Sequence, residues 1–194
     1  MSALRKLKLT AREYLEIERK AEFKSEFYDG EMFAMAGASP RHNFILNNLS
    51  GELFGRLKGT KCRSVFSDQR VKVDRTGLYT YPDLLIFCGQ PEFDPDDAYT
   101  LLNPIAIIEV LSPSTEKYDR GAKFRNYQQL PSLKEYVLVA QEEAVIERFI
   151  RQEDGAWGLV SFVGLDATLA FTSISAQIPL VDIYAGVSFD EPTN

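Results

Sequence analysis

The chain reads as an α+β domain built on a mixed central sheet. Three observations lead there. Apolar runs of strand length outnumber the helical stretches. The two kinds of element do not alternate regularly, as they would in a doubly wound fold. Asp-Gly pairs at Asp29-Gly30 and Asp154-Gly155 each separate two apolar runs, which places a hairpin toward either end. The 194 residues suit one domain, 1–194, with a full hydrophobic core. No repeat, low-complexity segment or linker divides them.

Taken in order, Thr10-Ala11-Arg12-Glu13 has the capping-box pattern and predicts a helix to about Ala21. Phe27-Tyr28 and Glu31 to Met35 flank the first Asp-Gly turn. Ser39-Pro40 opens a second helix, with Ser as cap and Pro at the first helical position. Along it Ile45, Leu49, Leu53 and Leu57 form a stripe that packs on a sheet. Cys62 to Val73 reads as one strand and Tyr79 to Cys88 as the next. Gly89 to Asn103 reads as a long acidic loop. Ile105 to Leu111 is a buried strand. After Ser112-Pro113-Ser114-Thr115 a helix is predicted from Tyr118 or Asp119 to about Leu130, where Pro131 stops it. Glu135 to Ala140 is a further strand. Val145 to Arg151 and Trp157 to Val163 form the second hairpin, and Leu180 to Tyr184 a short closing helix.

Composition narrows the function. No stretch approaches the ~20 apolar residues of a membrane span. Met1 to Lys8 is basic without the apolar core of a signal peptide, so a cytoplasmic protein is expected. Cys62 and Cys88 both lie in apolar, strand-like settings and read as reduced core thiols, not a disulfide. One His and two Cys do not make a zinc site of the usual kind. The net charge of −6 argues against a broad basic grip on nucleic acid, though not against a local basic cleft. The acids are uneven: Asp94, Asp96 and Asp97 share one loop, and Asp190 and Glu191 the tail.

Two strands carry an acid where apolar residues are the rule. Glu109 stands in Ile105-Ala106-Ile107-Ile108-Glu109-Val110-Leu111, and Asp83 stands at the entrance of Tyr81-Pro82-Asp83-Leu84-Leu85-Ile86-Phe87. An ionised carboxylate in such a setting must find a cation or a proton. Alternation puts Glu109 on a face with Ile105, Ile107 and Leu111, and Asp83 with Leu85 and Phe87. On neighbouring strands the two acids would meet. Oxygen-only ligands favour Mg2+, with Mn2+ as the alternative. The competing reading has Asp83 capping a turn and Glu109 paired with a core cation.

Other candidates have two readings each. Lys123 either points back at the acids or belongs to a solvated helix face. His42, in the first turn of the second helix, is a base, a phosphate contact or an ordinary capping residue. Glu31 is a third carboxylate or one half of a cross-strand pair; Glu26 is the weaker candidate for the same role. Met32 to Met35 and the Trp157 segment offer a homodimer face.

These residues carry a resemblance. Tyr81-Pro82-Asp83, Ile108-Glu109-Val110-Leu111-Ser112-Pro113-Ser114-Thr115 and Tyr118-Asp119-Arg120-Gly121-Ala122-Lys123-Phe124 resemble the PD-(D/E)XK nuclease superfamily. So do Asp29-Gly30-Glu31, His42, and Pro131 to Tyr136. Within it the chain resembles the branch of small bacterial putative restriction-endonuclease-like proteins of unknown function, and the likeness spans roughly Tyr14 to Tyr184. The resemblance implies a restriction-endonuclease-like core of helix, three strands, helix and strand, with hairpins added at the N- and C-terminal ends. It implies metal binding by Asp83 and Glu109, with Lys123, Glu31 and His42 assisting. The superfamily places a lysine two residues after the acid. That position is Leu111, so Lys123 on the next helix takes the part. The function so implied is Mg-dependent hydrolysis of phosphodiester bonds in DNA. The alternative is an inactive nuclease-like scaffold serving as a binding or regulatory module.

Overall fold

A computed structural model describes residues 8–35 and 37–189. The first residues of the basic start and the acidic pair Asp190 and Glu191 lie outside the described residues. Helix α1 (Ala11–Glu18) leads to strands β1 (Ser25–Tyr28) and β2 (Glu31–Ala34), then helix α2 (Pro40–Leu57). Seven strands follow: β3 (Cys62–Phe66), β4 (Arg70–Val73), β5 (Leu78–Thr80), β6 (Leu84–Cys88), β7 (Phe93–Asp94), β8 (Asp97–Leu101) and β9 (Ala106–Val110). Next come α3 (Glu116–Tyr118), a π-helical turn (Asp119–Lys123) and α4 (Phe124–Tyr127). Strands β10 (Glu135–Val139), β11 (Val145–Arg151), β12 (Trp157–Val163), β13 (Thr168–Ala170) and β14 (Gln177–Pro179) and helix α5 (Leu180–Ile183) complete the chain.

The central sheet has the order β12-β11-β10-β9-β6-β3, with β9 and β10 parallel and the other pairs antiparallel. A second sheet, β2-β1-β5-β4-β8-β7, joins the first hairpin to the middle of the chain. The mixed sheet and α+β class agree with the sequence. The helical stripe of α2 packs on one face of β6 and β9, through Ile45, Leu49, Leu53, Leu84, Ile86, Ala106 and Ile108. The other face buries Leu85, Phe87, Ile107 and Leu111 against Val71, Val73, Leu78, Phe124 and Tyr127. Strand alternation thus sorts the two cores as expected, except that Ile105, ahead of β9, packs on the α2 side.

Both N-terminal caps form. Thr10 and Glu13 close a capping box on α1, and Ser39 Oγ accepts the His42 N–H at 3.0 Å. Asp29 and Gly30 both have positive φ, 48° and 81°, the backbone a two-residue primed turn requires. The Tyr28–Glu31 pair closes that hairpin.

The structure corrects the sequence in five places. Cys62–Val73 is two strands in different sheets, because the chain turns sharply at Ser67, whose φ is 66°. Tyr79–Cys88 is likewise two: Pro82 has no N–H for a ladder, and there the chain crosses from β5 to β6. The Gly89–Asn103 loop contains the β7–β8 pair, and two of its acids, Asp94 and Asp97, are paired with cations. Asp97 accepts from Arg70 and from Arg19, and Asp94 lies 2.6 Å from Lys72. Cys62 and Cys88 are directly opposed in the β3–β6 register and are joined in a disulfide, not reduced; residue identity alone does not reveal that register. Finally β13 and β14, absent from the sequence reading, form a small separate sheet beside α5.

Leu53 is fully buried between α2 and the sheet. Leu53→Ala is expected to cost about 2–5 kcal/mol, seen as a lower urea midpoint at unchanged slope. An unchanged midpoint would mean that α2 is not seated on the sheet.

Candidate functional site

The crossing at Pro82 sets the site. Asp83 immediately precedes β6, and Glu109 lies on β9 just past the Leu84–Ile108 pair, so the two acids stand side by side. Their carboxylates are tied through each other's strands. The Asp83 N–H donates to Glu109 Oε2 at 3.2 Å, and the Val110 N–H donates to Asp83 Oδ2 at 2.8 Å. The Glu109 side chain is 4% exposed and that of Asp83 24%. Both line an open cavity of about 790 Å3, walled by the β1–β2 hairpin, the start of α2 and the Ser112–Thr115 loop.

Lys123 joins them. Its Nζ lies 2.9 Å from Glu109 Oε1 and 3.4 Å from both Glu26 Oε1 and Asp119 Oδ1. Tyr127 OH donates to the same Glu109 Oε1 at 2.9 Å. Asp119, Lys123 and Tyr127 recur every fourth residue, and the π-helical turn carries the first two. Such turns are frequent at functional sites. A lysine this deep is exceptional unless paired, and three carboxylates pair it here. His42 reaches the site from α2, with Nε2 3.1 Å from Asp83 Oδ2. A proton on Nε2 makes that contact a hydrogen bond. Nδ1 is buried with no partner among the described residues. Ser39, capping α2, also donates to Gln141 Oε1 at 2.7 Å, which anchors this helix start at the cavity rim.

The structure therefore brings together Asp83, Glu109, Lys123 and His42. It does not bring Glu31, which is absent from the cavity lining. Glu31 shares a hairpin face with Glu26 but stands at the turn end, opposite Tyr28. Glu26 takes the place instead: it contacts Lys123, accepts from Tyr118 OH at 2.9 Å, and accepts from Thr80. Asp119 and Tyr127 were not singled out from sequence, although their four-residue spacing around Lys123 was the available signal.

Burial dominates the electrostatics. It pushes the Glu109 carboxyl up to about 8, helped by the charges of Asp83 and Asp119 and opposed by Lys123. Burial also raises the Asp119 carboxyl, again against Lys123. For Lys123 burial works against the charge, but Glu109, Tyr127, Glu26 and Asp119 outweigh it and hold the ammonium well above its ordinary range. Burial raises the Tyr127 hydroxyl strongly, so it stays a donor.

The donor set suits a hard divalent ion in part. Asp83 and Glu109 offer adjacent carboxylate oxygens, and both hydrogen bonds of Asp83 use Oδ2. Among the described residues no group of three or more His, Cys, Asp or Glu side chains is arranged to hold a metal. An ion here would keep several waters, as magnesium commonly does.

Comparisons with known proteins bear on the family and the fold. Residues 11–179 match the Uma2 family, described as a putative restriction endonuclease. Two uncharacterized proteins of Synechocystis sp. are similar along nearly their whole length. One, slr1290, is 36% identical over 94% of both chains; the other, sll1609, is 35% identical over 84% of this chain and 93% of its own. The crystal structure of a putative nuclease belonging to DUF820 from Anabaena variabilis superposes with a TM-score of 0.73 at 18% identity, covering 89% of this chain and 96% of that one. That likeness establishes a shared restriction-endonuclease-like fold. No helix among the described residues is long and apolar enough to cross a membrane.

A pH dependence follows from Glu109. Its folded value of about 8 lies above its ordinary 4.5. The folded chain therefore holds a proton that the unfolded chain has released, and stability from this group is complete below the ordinary value and lost as pH rises through the folded one. In chelator, unfolding free energy should fall across that interval, and Glu109→Gln should lessen the slope. Equal slopes would mean that Glu109 is already ionised throughout.

Proposed function

The chain belongs to the Uma2 family of putative restriction endonucleases, and from that premise we propose that it is a metal-dependent nuclease hydrolysing phosphodiester bonds in DNA. One observation carries the reading. Asp83 and Glu109 lie hydrogen-bonded through each other's strands in an open cavity, with the Lys123 ammonium 2.9 Å from Glu109. Two hard carboxylates and a fixed cation form a set suited to phosphodiester hydrolysis.

Asp83 and Glu109 would hold Mg2+ or Mn2+. Such an ion supplies Lewis-acid charge at a phosphate oxygen and lowers the pKa of its water. The chain's own residues do the rest. Lys123 places a permanent positive charge beside the phosphate, where charge grows in the transition state. Glu26 and Asp119 hold the ammonium in place. Tyr127 fixes the Glu109 carboxylate, and His42 fixes that of Asp83. Glu26, not Glu31, is the third carboxylate of this arrangement.

A second reading keeps the site and removes turnover: a nuclease-like scaffold that binds or regulates. The three carboxylates around Lys123 favour it, since they offset the charge a phosphate would need.

The two readings part in one experiment. Asp83→Ala and Glu109→Ala are each expected to abolish Mg- or Mn-dependent DNA cleavage. Lys123→Ala should slow it by roughly a hundredfold or more, as loss of a charge-stabilising donor does. Alongside, Mn2+ should raise the melting temperature of the wild type but not of Asp83→Ala. Robust cleavage by either acid variant rules out these roles. A metal-dependent melting shift without cleavage of any substrate supports the scaffold.

A further inference from the structure

The cavity is small for a double helix. Its volume of about 790 Å3 is that of a pocket for a small ligand, roughly 300–1,000 Å3. Glu109, 4% exposed, lies at its depth, so a phosphate must come in to meet it. The lining also lacks what tracks a duplex backbone. Apart from His42, the one cationic side chain among the described residues of the lining is Lys123, which three carboxylates already bracket. Phosphate contacts by rows of Lys and Arg are what give duplex affinity.

The lining does have exposed aromatic rings. Tyr28 is 40% and Phe33 49% exposed, and both face the cavity. In the hairpin register Phe33 is opposite Glu26, and Tyr28 is two residues along. The two rings therefore share the hairpin face from which Glu26 reaches Lys123. The fold does not use them as core. The core ring of this hairpin is Phe27, on the opposite face, stacked on Tyr14 and set against Tyr79.

We propose that the site takes an unpaired stretch of DNA, held by stacking of its bases on Tyr28 and Phe33, with the phosphate between them led down to Asp83 and Glu109. This rests on the nuclease reading and names its substrate class. Stacking on aromatic rings holds single strands without a large basic surface.

Fluorescence anisotropy with the full chain in chelator tests binding. The probes are a labelled single strand, its blunt duplex, and the same duplex carrying an unpaired flap. The single strand and the flap should bind about tenfold or more tighter than the blunt duplex. Tyr28→Ala and Phe33→Ala should each weaken single-strand binding about tenfold, and Tyr28→Phe should retain it. Phe54→Ala, on α2 and outside the cavity, serves as the control for an exposed ring. Duplex binding as tight as single-strand binding, or alanine variants that bind like the wild type, would overturn the proposal. Cleavage with Mn2+ separates it from the reading beneath. Duplex cut as fast as single strand, without effect of the two rings, defeats the proposal and leaves the nuclease standing. The stacking pattern of binding without cleavage of any strand defeats the nuclease and leaves standing only the grip of the two rings on an unpaired strand.

Discussion

Everything about this fold's centre follows from one constraint: a carboxylate has been placed inside a sheet. Glu109 is flanked on its strand by Ile108 and Val110, both buried. Alone, such a charge would cost several kcal/mol after relaxation. The chain answers with Lys123, Tyr127 and the Asp83 N–H, all directed at the two Glu109 oxygens. Lys123 is itself a buried charge and draws in Glu26 and Asp119. Each added partner solves one problem and creates the next, and the cluster closes only at Tyr118 and Thr80, which donate to Glu26.

Topology makes that cluster possible. The β1–β2 hairpin is remote in sequence from β9, yet Glu26 touches Lys123. The link is the second sheet, in which β1 pairs with β5. From β5 the chain passes through Tyr81-Pro82 into β6 and so beside β9. Asp83 lies at the point where the chain leaves one sheet for the other. Its N–H has no ladder partner of its own and turns to Glu109. The proline that breaks the strand therefore also places the acid.

Much of this was legible in the sequence. The α2 stripe, both Asp-Gly hairpins and the two-faced alternation of β6 and β9 depend on local spacing, which sequence displays directly. The nearness of Asp83 to Glu109 could be expected because both sit in apolar strands that need a shared explanation. What sequence hid was register and crossing. Glu26 and Glu31 differ only by which end of one hairpin face they occupy, and no local pattern distinguishes the ends. Cys62 and Cys88 are opposed only because β3 and β6 pair in one register out of several. The sheet change at Ser67 turns on a single backbone angle. Asp94 and Asp97 read as part of a long acidic loop, since Arg70 and Lys72, which neutralise them, lie on another strand.

A buried acid does not by itself mark a functional site, and this molecule holds the comparison. Glu135 is as buried as Glu109. Its oxygens accept from the Thr172 N–H and hydroxyl at 2.8 and 2.6 Å and from Ser173 at 2.7 Å, with Arg148 3.6 Å away. That set is balanced in charge: one carboxylate faces one guanidinium, with hydroxyls donating to both carboxylate oxygens. Around Glu109 the count differs. Four carboxyl groups (Glu26, Asp83, Glu109 and Asp119) line an open cavity, and the one ammonium, that of Lys123, contacts three of them. Crowded acids disfavour one another's ionisation, which helps raise Glu109, so the excess of acids is a standing cost. A purely structural cluster would gain by losing an acid. An acidic site left short of positive charge, and open to solvent, is instead suited to receive a cation from outside. In a chain of net charge −6, a polynucleotide must then be held by close contact, because the long-range field of the protein opposes its approach.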